Sequence, residues 1–419
     1  MGITAQPGLN APTQMKTADP ELMRAINRFH VMDAIRRFGP IARVEISDRT
    51  ELSATTVSAI TGALLDDGLI ITHQLGGIRD AARGRPRVLL DLNPDAAHVV
   101  GARLAPDHIT IATTNFRADI RSSITLPVRV GRHGVSVVAD LVEDGIRRSV
   151  ADAGLELSQI SGVCIGLPGV VERGAGICRA SPLFGERDIP LAAELTRRLD
   201  GVAATLDSDV NLVTLAEHWF GQARGLDDFL VVSVEMGLGL GIMHKGELFR
   251  GANGLGPDLG DLLVKPPNGA GLVRLAEVAS EESMLADARR ALAASEHEQA
   301  FRLGRGMEKL LERAEAGDAA IVALLRAAGE ALGFAIANLI VLFAPPKVIL
   351  AGAALAAGEA LVRPLRDTVS ALLPPSLADV ADIVVHEWGD EDWARGAAAM
   401  TLRDLYGAPW GTTGPAPHL

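Results

Sequence analysis

Twice along this chain a β-branched strand turns back on a second strand, and each time alternating helical and strand patterns follow. That repeat restricts the fold more than any other feature. The first copy reads His98 to Ala105, a turn, His108 to Asn115, and a third strand near Ile120 to Val128. A long amphipathic helix from about Val135 to Ala153 then leads into the apolar strand Ile160 to Gly166. The second copy reads Phe229 to Glu235, a Gly-rich turn, Gly239 to His244, and Glu247 to Phe249. It continues through a helix over Ala319 to Leu342, a strand at Lys347 to Ala351 and a helix from Ala354 to Leu373. A strand at Ile383 to Val385 and a closing helix from Asp390 to Leu405 complete it. Apolar strands that alternate with amphipathic helices form a sheet covered on both faces. Two such units predict a duplicated α/β domain with a cleft between its halves.

The chain ahead of the repeat has a different pattern. Apolar residues at Leu22, Ile26, Phe29, Val31, Met32 and Ile35 predict a helix stopped by Gly39-Pro40. Arg43 to Thr50 forms a second short helix, with Val44 and Ile46 as its inward residues. Ser53 caps a third helix over Thr55 to Asp67, which Gly68 ends. Strands at Leu69 to Gln74 and Val88 to Leu92 flank a Gly- and Arg-rich loop, Gly76 to Arg87. Three helices followed by a two-stranded wing read as a winged helix-turn-helix.

Charge follows the same division. The chain has 419 residues and a formal net charge of -12, which by itself argues against nucleic acid. From Glu21 to Asp91, however, it carries ten Arg, no Lys and nine acidic residues, a net of +1. The remaining 30 basic and 43 acidic residues make an acidic body. An arginine-only head on an acidic body fits a nucleic-acid module joined to another kind of domain.

Within the third helix, Val57, Ile60 and Leu64 fall at i, i+3 and i+7 and face the other helices. Thr55, Thr56, Ser58, Ala59 and Thr61 are left for the outer face. Small hydroxyl residues let a helix sit deep in the major groove, against phosphates and thymine methyls. Ser53 and Arg43 complete that face. In the wing loop, Arg83-Gly84-Arg85-Pro86-Arg87 is a narrow arginine strip resembling an AT-hook, suited to an A·T-rich minor groove.

Hydrophobic residues make up 48% of the chain, enough for buried cores. No apolar run reaches the length expected of a membrane span, and Met1 to Pro20 lacks a secretory pattern. Only Cys164 and Cys178 are present, too few for a disulfide framework or a cysteine-rich zinc site. Cys164 belongs to a buried strand. These readings place the protein in the cytoplasm, off the membrane. Met1 to Pro20 and the Gly-Ala-Pro-rich stretch from residue 407 to Leu419 read as loose tails.

From Asn27 to Asn93 the sequence resembles the N-terminal domain of ROK-family transcriptional repressors. From Ala97 to about Tyr406 it resembles the sugar-kinase-like ROK domain. The resemblance rests on Gly162 to Gly169, Ser181-Pro182 to Pro190-Leu191, Asp207 to Gly221 and Gly237 to Gly256. It implies a winged helix-turn-helix over 21–92 and a duplicated, actin-like (ribonuclease H-like) α/β domain over 93–406. It also implies a homodimeric or tetrameric repressor of carbohydrate-related genes that binds a double-stranded DNA operator and answers to a sugar or sugar derivative.

Departures from the family pattern sharpen this. Family kinases hold ATP phosphates on two Gly-rich turns. The second, with Gly237 and Gly239, is kept. The first, D-x-G-G-T in the kinases, reads Arg103-Leu104-Ala105-Pro106-Asp107, which replaces the acid with arginine and removes a backbone donor at Pro106. No catalytic residue and no cofactor is therefore expected. Asp209 matches the family's catalytic base and either hydrogen-bonds a sugar hydroxyl or simply caps the helix that starts at Val210. Pro257-Asp258-Leu259-Gly260-Asp261 stands where the family has G-E-I-G-H, so Asp258 and Asp261 are either cleft acceptors or exposed loop acids. Pro267 to Gly271 replaces a cysteine-rich zinc loop, and no metal is expected. Leu183 stands in place of a sugar-contacting Asn. Two alternatives stay open: a regulator without a small-molecule effector, and an ATP-dependent sugar kinase.

Overall fold

Two five-stranded sheets share one topology in the computed structural model, which describes residues 20–74, 88–251, 254–265, 271–292 and 306–407. The loose tails expected over 1–20 and 407–419 thus fall almost wholly outside the described residues. Ahead of the sheets come α1 (Pro20–Phe38), β1 (Ile41–Ala42), α2 (Arg43–Thr50) and α3 (Ala54–Asp66), followed by β2 (Ile70–Gln74) and β3 (Val88–Leu92). These are the three helices and wing strands expected, within two residues at each end. The short strand β1 was not foreseen. It pairs with β3, so the wing sheet has the order β1-β3-β2.

The first large sheet contains β4 (His98–Leu104), β5 (Ile109–Asn115), β6 (Ile120–Leu126), β7 (Ile160–Leu167) and β10 (Ala204–Ser208). Between them lie α4 (Val135–Asp152), the hairpin β8 (Val170–Glu172) and β9 (Ile177–Ala180), and α5 (Leu191–Arg198). Helix α6 (Asp209–Trp219) leaves β10 and leads to the second sheet: β11 (Phe229–Val234), β12 (Leu238–His244), β13 (Glu247–Leu248), β16 (Lys347–Ala351) and β17 (Asp382–Val385). Its insertions are the strand pair β14 (Leu263–Val264) and β15 (Val273–Arg274), then α7 (Ala276–Ala279), α8 (Glu281–Leu292), α9 (Gly306–Glu315) and α10 (Ala319–Phe343). Helix α11 (Glu359–Leu372) joins the last two strands, and α12 (Asp390–Leu405) ends the described chain.

In each sheet the first three strands are antiparallel neighbours and the last two add in parallel on the far side of the first. This is the expected duplication. The interior strands β5 and β11 are buried along their whole length, as strands covered on both faces must be. Helix α12 returns from the second lobe to pack on β4, β5 and β7 and against α6. It carries the buried Trp393, so both lobes share its packing.

Three sequence expectations need correction. Val44 is 70% exposed, because it lies two residues from the buried Ile46 and so about 200° around the helix, where both cannot face inward. The helix expected from Ala354 to Leu373 is divided into a 3₁₀ turn, Ala353–Ala357, and α11. Finally, α10 is long and apolar enough to cross a membrane by length and composition. Half of that apolar stretch is buried inside the protein, with Leu325, Leu332 and Ile336 packed in the core of the second lobe.

Candidate functional site

Helix α3 begins where Ser53 Oγ accepts from the Thr56 backbone N–H at 3.1 Å and lies 2.8 Å from Thr56 Oγ1. Val57 and Leu64 are fully buried, and Ile60 and Leu65 pack beside them. The opposite face presents Thr55, Ser58 and Ala59 to solvent, with Thr56 half-buried. Thr61 does not join them. It is fully buried, because i+4 from Val57 and i−3 from Leu64 put it on the core stripe. There its Oγ1 accepts from Arg43 Nε at 2.8 Å, which ties Arg43 to the helix flank and half-buries it. Arg83, Arg85 and Arg87 lie outside the described residues.

A second candidate lies between the lobes. The ends of β10 and β11, the β7–β8 turn, the β11–β12 turn and the 256–261 loop enclose a cleft of about 270 Å³. All five ligand candidates line it: Asp209, Gly237, Gly239, Asp258 and Asp261. Ser208, which stands in place of an Asn of the family motif, joins them, as do Ser233 and Glu235, which no sequence motif announces. The glycines have unequal roles. A Cβ on Gly239 would lie 2.8 Å from Val210 Cβ, and one on Gly241 would collide with Thr214, so both permit close packing of β12 on α6. Gly237 has open space around it and faces the cleft.

Arg103 fills the place of the kinase acid. The guanidinium is buried, with Nη2 3.3 Å from Glu235 and Nη1 3.2 Å from Asp390, and its Cζ lies 4.0 Å above the Trp393 ring. The turn it precedes is closed by the Ala105 N–H donating to the His108 carbonyl at 2.9 Å, over Pro106 and Asp107. That turn offers no glycine-lined cradle for phosphate.

Asp209 stands at the N-terminus of α6, 9% exposed, with Oδ1 accepting from the Val210 N–H at 2.8 Å. Burial pushes its carboxyl up from 3.8 to about 6, Arg103 pulls it down and Glu235 pushes it further up. A raised folded value means that protonated Asp209 favours the fold. The contribution is complete below about pH 3.8 and is lost as pH rises through about 6. At neutral pH the ionised group costs about 3 kcal/mol, two pKa units at 1.36 kcal/mol each. Asp209→Asn is accordingly expected to raise Tm at pH 7.5 and to change it little at pH 4. Equal shifts at both pH values in thermal melts contradict this account.

Behind the cleft, Asp207 is buried against two arginines, Arg250 Nη2 at 2.5 Å and Arg173 Nη1 at 3.4 Å, and accepts from Asn211 Nδ2 at 2.8 Å. Burial works to raise its carboxyl, yet Arg250 and Arg173 hold it below its ordinary value. Arg179 is held by Glu172 and by Asp188 at 2.8 Å. Leu183 is buried in the core of the first lobe.

The far end of α6 meets the N-terminal helices. Arg37 Nη2 lies 2.8 Å from His218 Nε2 and 3.0 Å from Asp227 Oδ1. A guanidinium only donates, so His218 Nε2 accepts and is unprotonated. Burial pushes the imidazole in the same direction. Arg36 stacks over Trp219 at 4.2 Å, and Trp219 lies parallel to Tyr406. The core of the head is continuous with this joint, linking Ile35 and Ile46 to Trp219 and Tyr406.

Comparison with known proteins follows the same outline. The sequence pattern of the ROK family matches residues 107–404. A xylose repressor of Caldicellulosiruptor bescii is 26% identical over 93% of this chain and 98% of its own length. A glucokinase of Thermotoga maritima is 32% identical over 63% of this chain and 87% of its own. The solved structure of a ROK family transcriptional regulator, a homologue of the E. coli MLC protein, superposes with a TM-score of 0.75 at 24% identity. It covers 92% of this chain and 97% of the other.

Proposed function

The chain belongs to the ROK family, and on that premise we propose that it is a sequence-specific DNA-binding repressor of carbohydrate-related genes, controlled by a sugar-type ligand in the interlobe cleft. Residues 21–92 are its DNA-binding domain and 93–406 its ligand and oligomerisation domain. The observation that carries this reading is the exposed hydroxyl face of α3, on a chain whose likeness to repressors runs through the head as well as the body. Two copies set two such heads on successive major grooves of a roughly palindromic operator. The protein acts in the cytoplasm. It does not turn over ATP: Arg103 is committed to Glu235 and Asp390 where kinases need an acid, and the turn beside it lacks a phosphate cradle. Clear phosphorylation of any sugar in an ATP-turnover assay overturns that part of the reading.

Thr55→Ala with Ser58→Ala is expected to weaken operator binding by about 1–3 kcal/mol per lost base contact while the chain stays folded. Arg85→Ala should weaken binding and flatten its salt dependence. Fluorescence anisotropy over a salt series reads both. The operator itself comes from mapping bound genomic DNA. Should no sequence-specific site emerge, the DNA reading fails, and unchanged affinity of Arg85→Ala removes the wing from it.

A further inference from the structure

The cleft has a one-sided charge. Among the described residues that line it, Asp209, Glu235, Asp258 and Asp261 carry carboxylates, and none is Lys, Arg or His. The undescribed positions nearest in sequence, 252–253 and 266–270, hold only Ala, Asn, Pro and Gly. Two of the four carboxylates are matched by a cation: Glu235 by Arg103 at 3.3 Å, Asp261 by Arg274 at 2.5 Å. The other two form no ion pair among the described residues. Asp209 accepts from the Val210 N–H, and Asp258 accepts weakly from the Asp261 N–H at 3.3 Å. Asp209 is also the more constrained of the two, since it is 9% exposed at the rooted end of a buried helix.

A carboxylate held in this way favours a ligand group that brings both a positive charge and several donors. An ammonium has three N–H donors and no acceptor, and its bonds to carboxylate are charge-assisted. A phosphate ester brings a charge of about −1.5 to −2 near pH 7. It would meet four carboxylates, two of them without an ion-pair partner, and no basic side chain on the cleft lining. The cavity lies at the small end of ligand pockets, about 300–1,000 Å³, which suits a single ring. Ser208 and Ser233 stand on its wall for hydroxyl groups.

We infer that the cleft takes an amine-bearing polyol, an amino sugar in its free form, with the ammonium group on Asp209 and Asp258, and that it rejects sugar phosphates. The inference rests on the reading of the cleft as the effector site. Its test is isothermal titration of the full chain with glucosamine, galactosamine and mannosamine, their neutral parent hexoses, and the 6-phosphates of all six. At least one amine is expected to bind tenfold or more tightly than its parent, with no phosphate bound better than its unphosphorylated form. Asp258→Asn, on an exposed loop, should bring amine and parent within about threefold. If a parent binds as well as its amine, or a phosphate binds best, the ammonium assignment is overturned while the sugar cleft stands. If neither amine, parent nor phosphate binds, the sugar cleft falls and the assignment falls with it. Retention of the tenfold preference in Asp258→Asn removes Asp258 from it.

Discussion

Arg103→Met is expected to destabilise the protein by about 3–5 kcal/mol, the usual loss when one partner of a buried ion pair is removed. Met keeps much of the packing over Trp393 but leaves a carboxylate without its cation. The loss comes chiefly from Glu235, whose side chain is 18% exposed, because Asp390 is 45% exposed and keeps His108 Nε2 at 3.0 Å. Arg103 stands on β4 in the first lobe, Glu235 just past β11 in the second, and Asp390 at the start of α12, so three elements lose a common tie. Glu235 retains one donor, the Ala353 N–H at 3.2 Å. Glu235→Gln removes the orphaned charge. In urea unfolding the double variant should therefore recover part of the loss, a coupling of 1 kcal/mol or more in a double-mutant cycle. Strict additivity would falsify the cross-lobe tie.

The same residue shows what a sequence can and cannot disclose. Spacing against the family motif reveals that an acid and two glycines are missing at Arg103 to Pro106. It does not reveal that the arginine has acquired partners 132 and 287 positions away, because long-range ion pairs leave no periodic trace. Hydrophobic period does leave one, so both strand–turn–strand units and the helix from Asp390 to Leu405 were legible. The hairpin β8–β9 and strand β10 span only three to five residues and were missed. In the head, the helical period decides which residues turn inward. Val44 and Thr61 each lie on the face that a count from Ile46 or Val57 assigns, opposite to the one expected from composition alone. The cleft candidates and the motif position of Ser208 were legible from alignment to the kinase motif, and Ser233 and Glu235 from nothing but the fold.

Trp219→Ala is expected to be the more revealing change, with a loss of about 3–5 kcal/mol for truncating a buried aromatic. Its ring is 5% exposed, stacked 5.5 Å from Tyr406 and covered by Arg36 of α1. Removing it unseats the head as well as opening a cavity. Helix α6 has 11 residues, about 16 Å at 1.5 Å per residue, and is buried throughout. One end carries Asp209 in the cleft and the other carries His218 and Trp219 under the head, so a ligand that tilted the first end would move the seat of α1 at the second. Regulation further requires that the ligand bind the two head positions unequally. Hydrogen exchange separates a joint from a mere core residue. Trp219→Ala should raise amide exchange in α1 well beyond the rise in β4 and β7. Arg37→Ala should do the same more mildly, since Arg224 Nη2 still reaches the residue 37 carbonyl at 2.8 Å. A uniform rise across head and body would assign Trp219 to packing alone, and α6 would then join the two sites in space without coupling them.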